Sequence, residues 1–394
     1  MIAKVAKKPA PGLLAASPTS RRLAFAAAAV LAVAWGLRIL AVEAAPASGA
    51  LADAVRLART VVQKEFAPKV PGVSVAVGVD GKIVWSEGFG YKDLATKGPV
   101  TPATRFRIGS VSKSLTSAGL ALLVERGQLD LDAPVQKYVP DFPDKGAPIT
   151  TRLLGGHLAG IRHYRGNEML LNQPFANVHA GLVIFKNDPL EAPPGTTFSY
   201  STYGWNLISA VMESAAHEEF LRYMDENVIQ PLGLTHTRPD RKGVLDPDCT
   251  LFYESDEQGK FVVAPTVDNS HKWAGGGYLS TPEDLVRFGS ALLQPGFLQD
   301  KSLALIFTPQ KTSDAKPTVY GIGWFIGEDA QGHRILWHTG GSIGGTSLLL
   351  LHPETKTVFA LVCNHTTPEI TRKDRESVVE LFRPLFMTPA AAKK

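Results

Sequence analysis

Ser110-Val111-Ser112-Lys113 sets a hydroxyl and an amine three residues apart at the start of a helix-patterned run. Residues at that spacing share one helix face, so the amine of Lys113 can reach the hydroxyl of Ser110. A serine in the first turn also lies among unpaired backbone N–H groups at the positive helix end, which stabilise developing negative charge. Lys113 acts as a base only if its pKa falls, and desolvation together with the helix end pushes it that way. The chemistry open to such a pair is nucleophilic attack on a carbonyl. A capping serine followed by a surface lysine satisfies the same four letters, so the spacing alone leaves both readings open. Two further clusters bear on the choice. Pro194-Gly195-Thr196-Thr197-Phe198-Ser199-Tyr200-Ser201-Thr202 lies about 90 residues downstream, and Trp337-His338-Thr339-Gly340-Gly341 ends an expected strand.

In this order the three segments resemble the S-x-x-K, Y-x-N and K-T-G boxes of class C β-lactamases, D-alanyl-D-alanine carboxypeptidases and related esterases. Four more segments support the likeness: Trp273 to Thr281, with its Gly275-Gly276-Gly277 turn, His157 to Tyr164, Phe185 to Leu190, and Val267 to Ser270. They narrow it to the mitochondrial serine β-lactamase-like group, over residues 51 to about 385. The resemblance implies an α+β, β-lactamase/transpeptidase-like fold: an antiparallel sheet flanked by terminal helices, plus a helical subdomain. It implies Ser110 as nucleophile of an acyl-enzyme and Lys113 and Tyr200 as partners in proton transfer. Backbone N–H groups of Ser110 and Gly341 would form the oxyanion hole, with His338, Thr339 and Thr202 on the substrate. No cofactor and no metal are implied.

Two positions depart from the lactamase pattern. Thr202 stands where those enzymes carry Asn, and His338 where they carry Lys, which argues against efficient β-lactam hydrolysis and leaves acyl transfer intact. His338 would add pH sensitivity near neutrality. His157 and His163 are expected to brace their loop rather than catalyse, and Asp188 and Asn269 to be structural. The expected substrate is a small peptide or amide, then an ester, then a β-lactam, with selectivity in loops such as 164 to 190. A non-catalytic, self-assembling scaffold is the alternative, since the resembled group also forms assemblies.

These groups need elements to hold them. Helical periodicity runs from Leu51 to Phe66. Val73, Val75, Val77 and Val79 alternate up to Asp80-Gly81, and Ile83 to Trp85 follow, which predicts a hairpin. Residues 111–126 are helical, and about 130–270 form a helical insertion with few strands. Strand patterns return at Tyr320 to Ile326, Ile335 to Trp337, Thr346 to Leu351 and Val358 to Cys363, and a helix from Asp374 to Leu385 closes the chain. Strands at both ends with helices between predict one antiparallel sheet assembled from both parts, with the site in the cleft beside it.

The 394 residues are 44% hydrophobic and carry a formal charge of +4. Residues 1–49 hold Lys4, Lys7, Lys8, Arg21, Arg22 and Arg38 against Glu43, a net of +5 that leaves −1 on the catalytic part, residues 50–390 and the tail. A near-neutral body lacks the cationic surface that nucleic acid requires, so that partner is excluded. The apolar run 23–37 behind Arg21-Arg22 reads as a targeting leader, either cleaved or retained as a membrane tether through residues 23–42. Ser20-Arg21-Arg22 fits a twin-arginine signal, and the lack of acidic residues before Glu43 fits a mitochondrial presequence. The body is therefore expected to be exported, periplasmic or membrane-anchored, or else mitochondrial. Cys249 and Cys363 are expected to be unpaired thiols.

Two other hydrolase readings fail on pattern. Gly340-Gly341-Ser342-Ile343-Gly344 matches the G-x-S-x-G elbow, but that elbow needs a helix directly after it, and Thr346 to Leu351 reads as a strand. For a metalloprotease, His217-Glu218 lacks a second histidine at i+4.

Overall fold

In the computed structural model, which describes residues 49–244 and 246–367, the alternating valines become β1 (Gly72–Val79), turned at Asp80-Gly81 into β2 (Lys82–Asp93). Before them runs α1 (Gly49–Val61), continued to Phe66 by a wider-wound turn. From the other end of the chain come β3 (Phe325–Glu328), β4 (Arg334–Ser342), β5 (Gly345–His352) and β6 (Thr357–Cys363). The sheet runs Gly98–Pro99, β2, β1, β6, β5, β4, β3, antiparallel throughout. Its two halves join where Val73 faces Cys363 and Val79 faces Thr357. The leader and the expected helix 374–385 lie outside the described residues.

Both faces of this sheet are covered, which explains why its inner strands read as continuous apolar runs. Val73, Val75, Val77, Leu348, Leu350, Phe359 and Leu361 pack with Ala54, Ala58 and Val62 of α1 and the turn after it. Ala76, Leu349, Leu351, Val358, Ala360 and Val362 join the larger core with Leu285, Val286, Phe288 and Leu292 of a helix, Pro282–Leu292. Each fully buried Leu or Val contributes about 1.5–3 kcal/mol, so the four consecutive leucines of β5 stabilise both layers at once.

The strand expected from Tyr320 starts only at Phe325. Gly321 N–H donates to Trp324 O at 2.9 Å, so the backbone folds back before the strand begins. That turn sinks Trp324 completely and lets its Nε1 donate to Ser117 Oγ at 3.2 Å. Two glycines in Tyr320-Gly321-Ile322-Gly323-Trp324 make the turn accessible, and burial of Ile322 and Trp324 outweighs extended pairing.

Between the two halves of the sheet the chain forms the helical part, built around α2 (Ser112–Glu125) and α3 (Thr202–Ala216). Residues 112–123 of α2 are buried all round, as expected of a helix inside the core rather than on its surface. The turn Gly109–Val111 leads into α2 and lies against β4. Gly109 has φ 47°, and a Cβ there would sit 2.6 Å from Gly341 O. At Gly340 a Cβ would be 1.9 Å from Ile108 O and 2.3 Å from Ser347 Oγ, which itself donates to Ile108 O at 2.7 Å. Neighbouring Gly341 has open space where a Cβ would stand. Gly340→Ala should therefore lower stability by about 1–3 kcal/mol, through forced separation of β4 from the Ile108–Ser110 segment. Gly341→Ala should leave the thermal midpoint nearly unchanged; equal midpoints for the two variants would refute the close-approach argument.

Candidate active site

Ser110 sits in the turn at the mouth of α2, and Lys113 follows one turn on, wholly buried. Lys113 Nζ lies 2.9 Å from Ser110 Oγ, 3.1 Å from Thr202 Oγ1 and 2.6 Å from Gly275 O. Burial is the main cause that pulls its pKa far below the usual lysine value, and the nearby Lys272 charge adds to it. That direction favours the neutral amine, the form able to take up a proton. Gly275 O can only accept, so it takes one N–H of the amine, and the hydroxyls of Thr202 and Ser110 complete its neighbours.

Tyr200 reaches the same point from the segment that enters α3. Its ring lies 4.9 Å from Lys113 Nζ, and its phenol lies close enough to the Ser110 hydroxyl to interact with it. Burial raises its pKa, so the phenol keeps its proton. Two histidines hold this segment. His157 Nδ1 accepts from Ser201 N–H at 3.0 Å and His163 Nδ1 from Thr202 N–H at 3.1 Å. Both rings are held neutral by burial, His163 down to about 4, so each offers the lone pair those bonds need. The His157 ring also packs 4.2 Å from that of Tyr200. His157 adopts φ 60°, a left-handed conformation that costs about 1–3 kcal/mol, and the bond to Ser201 and the aromatic packing offset it. Both histidines brace, as expected.

β4 forms the opposite wall. His338, Thr339, Gly341 and Ser342 line a cleft of about 490 Å³ together with Ser110, Tyr200 and Thr202. His338 Nδ1 donates to Thr339 O at 2.6 Å, so in the neutral ring Nε2 accepts from Tyr320 O–H at 2.8 Å. Burial keeps the Tyr320 phenol protonated for that bond. Ser342 is followed by a hairpin into β5, not by a helix, which removes the elbow geometry. Asp188 pairs with Arg162, and Asn269 donates to Asp240 at 2.6 Å, an acid that also holds Arg107 at 2.7 Å; both residues are structural here. Cys249 and Cys363 are unpaired, and burial pushes their thiols up to about 12 and about 11.

Four cleft residues carried no sequence motif of their own: Met169, Lys272, Phe325 and Thr366. Lys272 is 3% exposed, with its pKa lowered to about 8. Burial is the largest cause and Arg107 adds to it, while Asp240 and Asp268 act the other way. Its position just before the Trp273 to Thr281 segment was the available signal: that segment supplies Gly275 O to Lys113, so its flank faces the same cleft.

Comparison with known proteins bears on the family and the fold. The Beta-lactamase family model matches residues 57–381. The Homo sapiens serine beta-lactamase-like protein LACTB, mitochondrial, is 33% identical, covering 79% of this chain and 74% of that protein. The octameric penicillin-binding protein homologue from Pyrococcus abyssi superposes with a TM-score of 0.72 at 26% identity, over 84% of this chain and 76% of the other. A D-amino acid amidase from Ochrobactrum anthropi SV3 shares the fold at a TM-score of 0.72 and 23% identity, over 84% and 97% of the two chains. With its α+β, β-lactamase/transpeptidase-like architecture, the chain belongs to the beta-lactamase family.

Proposed function

We propose that the protein is a serine hydrolase that cleaves an amide or peptide bond through an acyl-enzyme on Ser110. The observation that carries this reading is the fully buried Lys113 amine, its pKa pulled well down by desolvation, 2.9 Å from Ser110 Oγ. Ser110 Oγ attacks the carbonyl carbon as its proton passes to Lys113. The oxyanion forms against the N–H groups of Ser110 and Gly341, where Gly341 leaves room for close approach. Tyr200 gives its proton to the leaving nitrogen and recovers one from Lys113. Water then attacks the ester by the reverse route, and Ser110 takes back its proton. Because the Tyr200 phenol stays protonated, it serves as donor and relay, and Lys113 as the base.

Lys272 supplies a cation in a cleft whose β4 wall carries His338 in place of lysine, and it favours a substrate with a carboxylate. His338, with Tyr320 and Thr339 O on its nitrogens, shapes the wall. The amidase likeness supports an amide substrate at the level of fold. The leader composition and the mitochondrial relative support action in an organelle, with export as the alternative.

Labelling with a fluorophosphonate probe tests the assignment. Wild type should react with one equivalent, Ser110→Ala should not react at all, and Lys113→Met and Tyr200→Phe should slow amide turnover by about 10²–10⁴-fold. An unlabelled Ser110 in folded protein would favour the scaffold reading, and loss of labelling in Ser342→Ala alone would move the nucleophile.

Lys272 gives a separate, pH-dependent test. It is cationic below about 8 and neutral above, so KM for a carboxylate-bearing peptide should rise as pH climbs through that value, while KM for a neutral ester stays flat. In Lys272→Met the contrast should vanish. Removing this charge also raises the Lys113 pKa, so the acid limb of the labelling profile should move to higher pH. A profile unchanged in both respects would show that Lys272 does not face the substrate.

A further inference from the structure

At the end of the sheet, the turn that joins β3 to β4 and the end of β5 bring an aspartate and two histidines together. Asp329 Oδ1 accepts N–H bonds from Gln331 and His333, each at 2.9 Å, which fixes the carboxylate in the turn. Its other oxygen, Oδ2, faces His333 Nδ1 at 3.1 Å and His352 Nε2 at 3.7 Å. One ligand atom from each of the three residues lies within 4.8 Å of the others. The Asp329 and His352 side chains are 2% and 1% exposed, and that of His333 is 32% exposed, so the group is sheltered yet open to solvent on one side.

The far nitrogen of each ring is also met by an oxygen. His333 Nε2 points at Glu354 Oε2, 3.7 Å away, and His352 Nδ1 is 3.0 Å from Thr355 Oγ1 and 3.4 Å from Thr355 N. Oxygen partners on the outer nitrogens are the arrangement that orients histidine ligands toward a metal. Two of the contacts, at 3.7 Å, are longer than a good hydrogen bond, which spans about 2.7–3.2 Å. A tetrahedral cation with bonds of about 2.0–2.2 Å holds its ligand atoms about 3.4 Å apart, which these three approach with small side-chain shifts.

We propose that Asp329 Oδ2, His333 Nδ1 and His352 Nε2 form a site for a divalent transition cation of the zinc class, with water in the fourth position. Two imidazoles and one carboxylate suit zinc, cobalt or nickel and disfavour magnesium or calcium, which take all-oxygen shells. Bound there, the cation ties the β3–β4 turn to the end of β5. Those strands run on to Phe325, His338 and Gly341 in the cleft, so the clamp acts on the frame of the catalytic wall, not on the chemistry.

The test uses the full chain, freed of metal with a chelator and titrated with Co²⁺ and Zn²⁺. Wild type should bind one Co²⁺ with the visible absorption of a nitrogen-and-oxygen, four-coordinate site, Zn²⁺ should displace it, and Zn²⁺ should raise the thermal midpoint by a few degrees. His333→Gln, at a half-exposed position, should weaken binding at least tenfold, and Glu354→Gln by about ten- to a hundredfold through the outer contact. Unfolding without metal, compared with wild type, shows that the variants remain folded, and Asp329→Asn, which keeps the turn acceptor, provides a second ligand variant. No stoichiometric binding by wild type, or equal affinity in His333→Gln and Asp329→Asn, overturns the proposal.

Discussion

The site depends on the burial of one amine. Lys113 is buried among two hydroxyls and a carbonyl, none of which carries a full charge to balance an ammonium. Desolvating a lone ammonium costs several kcal/mol, and burial therefore pulls its pKa well down. Each unit of pKa depression corresponds to about 1.4 kcal/mol of preference for the neutral form, and Lys272 contributes part of it by repulsion. Everything around Lys113 serves that requirement: a core helix with no wet face, a glycine-rich turn offering a carbonyl, and a threonine where an amide would otherwise stand.

The second constraint is placement of Tyr200 across a gap that no single element spans. The phenol comes from a loop, and loops are held by whatever satisfies their backbone. Here two neutral histidines accept consecutive N–H groups, from Ser201 and Thr202, and the Ser201 hydroxyl donates to Arg162 O at 2.7 Å. Arg162 is fixed in turn by Glu168 and Asp188. Burial thus works in opposite senses on two residue types with one result. It disfavours the charged forms of Lys113, His157 and His163, and it keeps the phenols of Tyr200 and Tyr320 protonated. Such a setting of the polar groups before substrate arrives is the preorganisation that the proposed acyl transfer would use.

The sheet supplies the remaining wall because its chain ends pair with each other. With β1 against β6, β4 and β5 come alongside the nucleophile turn, and Gly340 allows the backbones to touch. His338 lies on this wall, and Lys272 reaches the same cleft from a different segment.

Local spacing stated part of this by itself. The i, i+3 relation of Ser110 and Lys113, the alternating valines and the Asp80-Gly81 turn act within a few residues, so the letters suffice to state them, whereas joining the three distant boxes rested on resemblance to a family. The strand at 320–326 was misread because apolar letters mark burial, and burial can be met by a turn as well as by a strand once glycines permit it. Lys272, Phe325 and the Asp329–His333–His352 group were out of reach for another reason. Their significance lies in distances between segments, and a sequence does not carry those. Only the folded chain decided that Gly275 O and Thr202 Oγ1 would stand beside Lys113 Nζ with Ser110. Only its depth decided that the charged form of the amine would be disfavoured, because the cost of a charge is set by the solvent left around it and not by its neighbours in the chain.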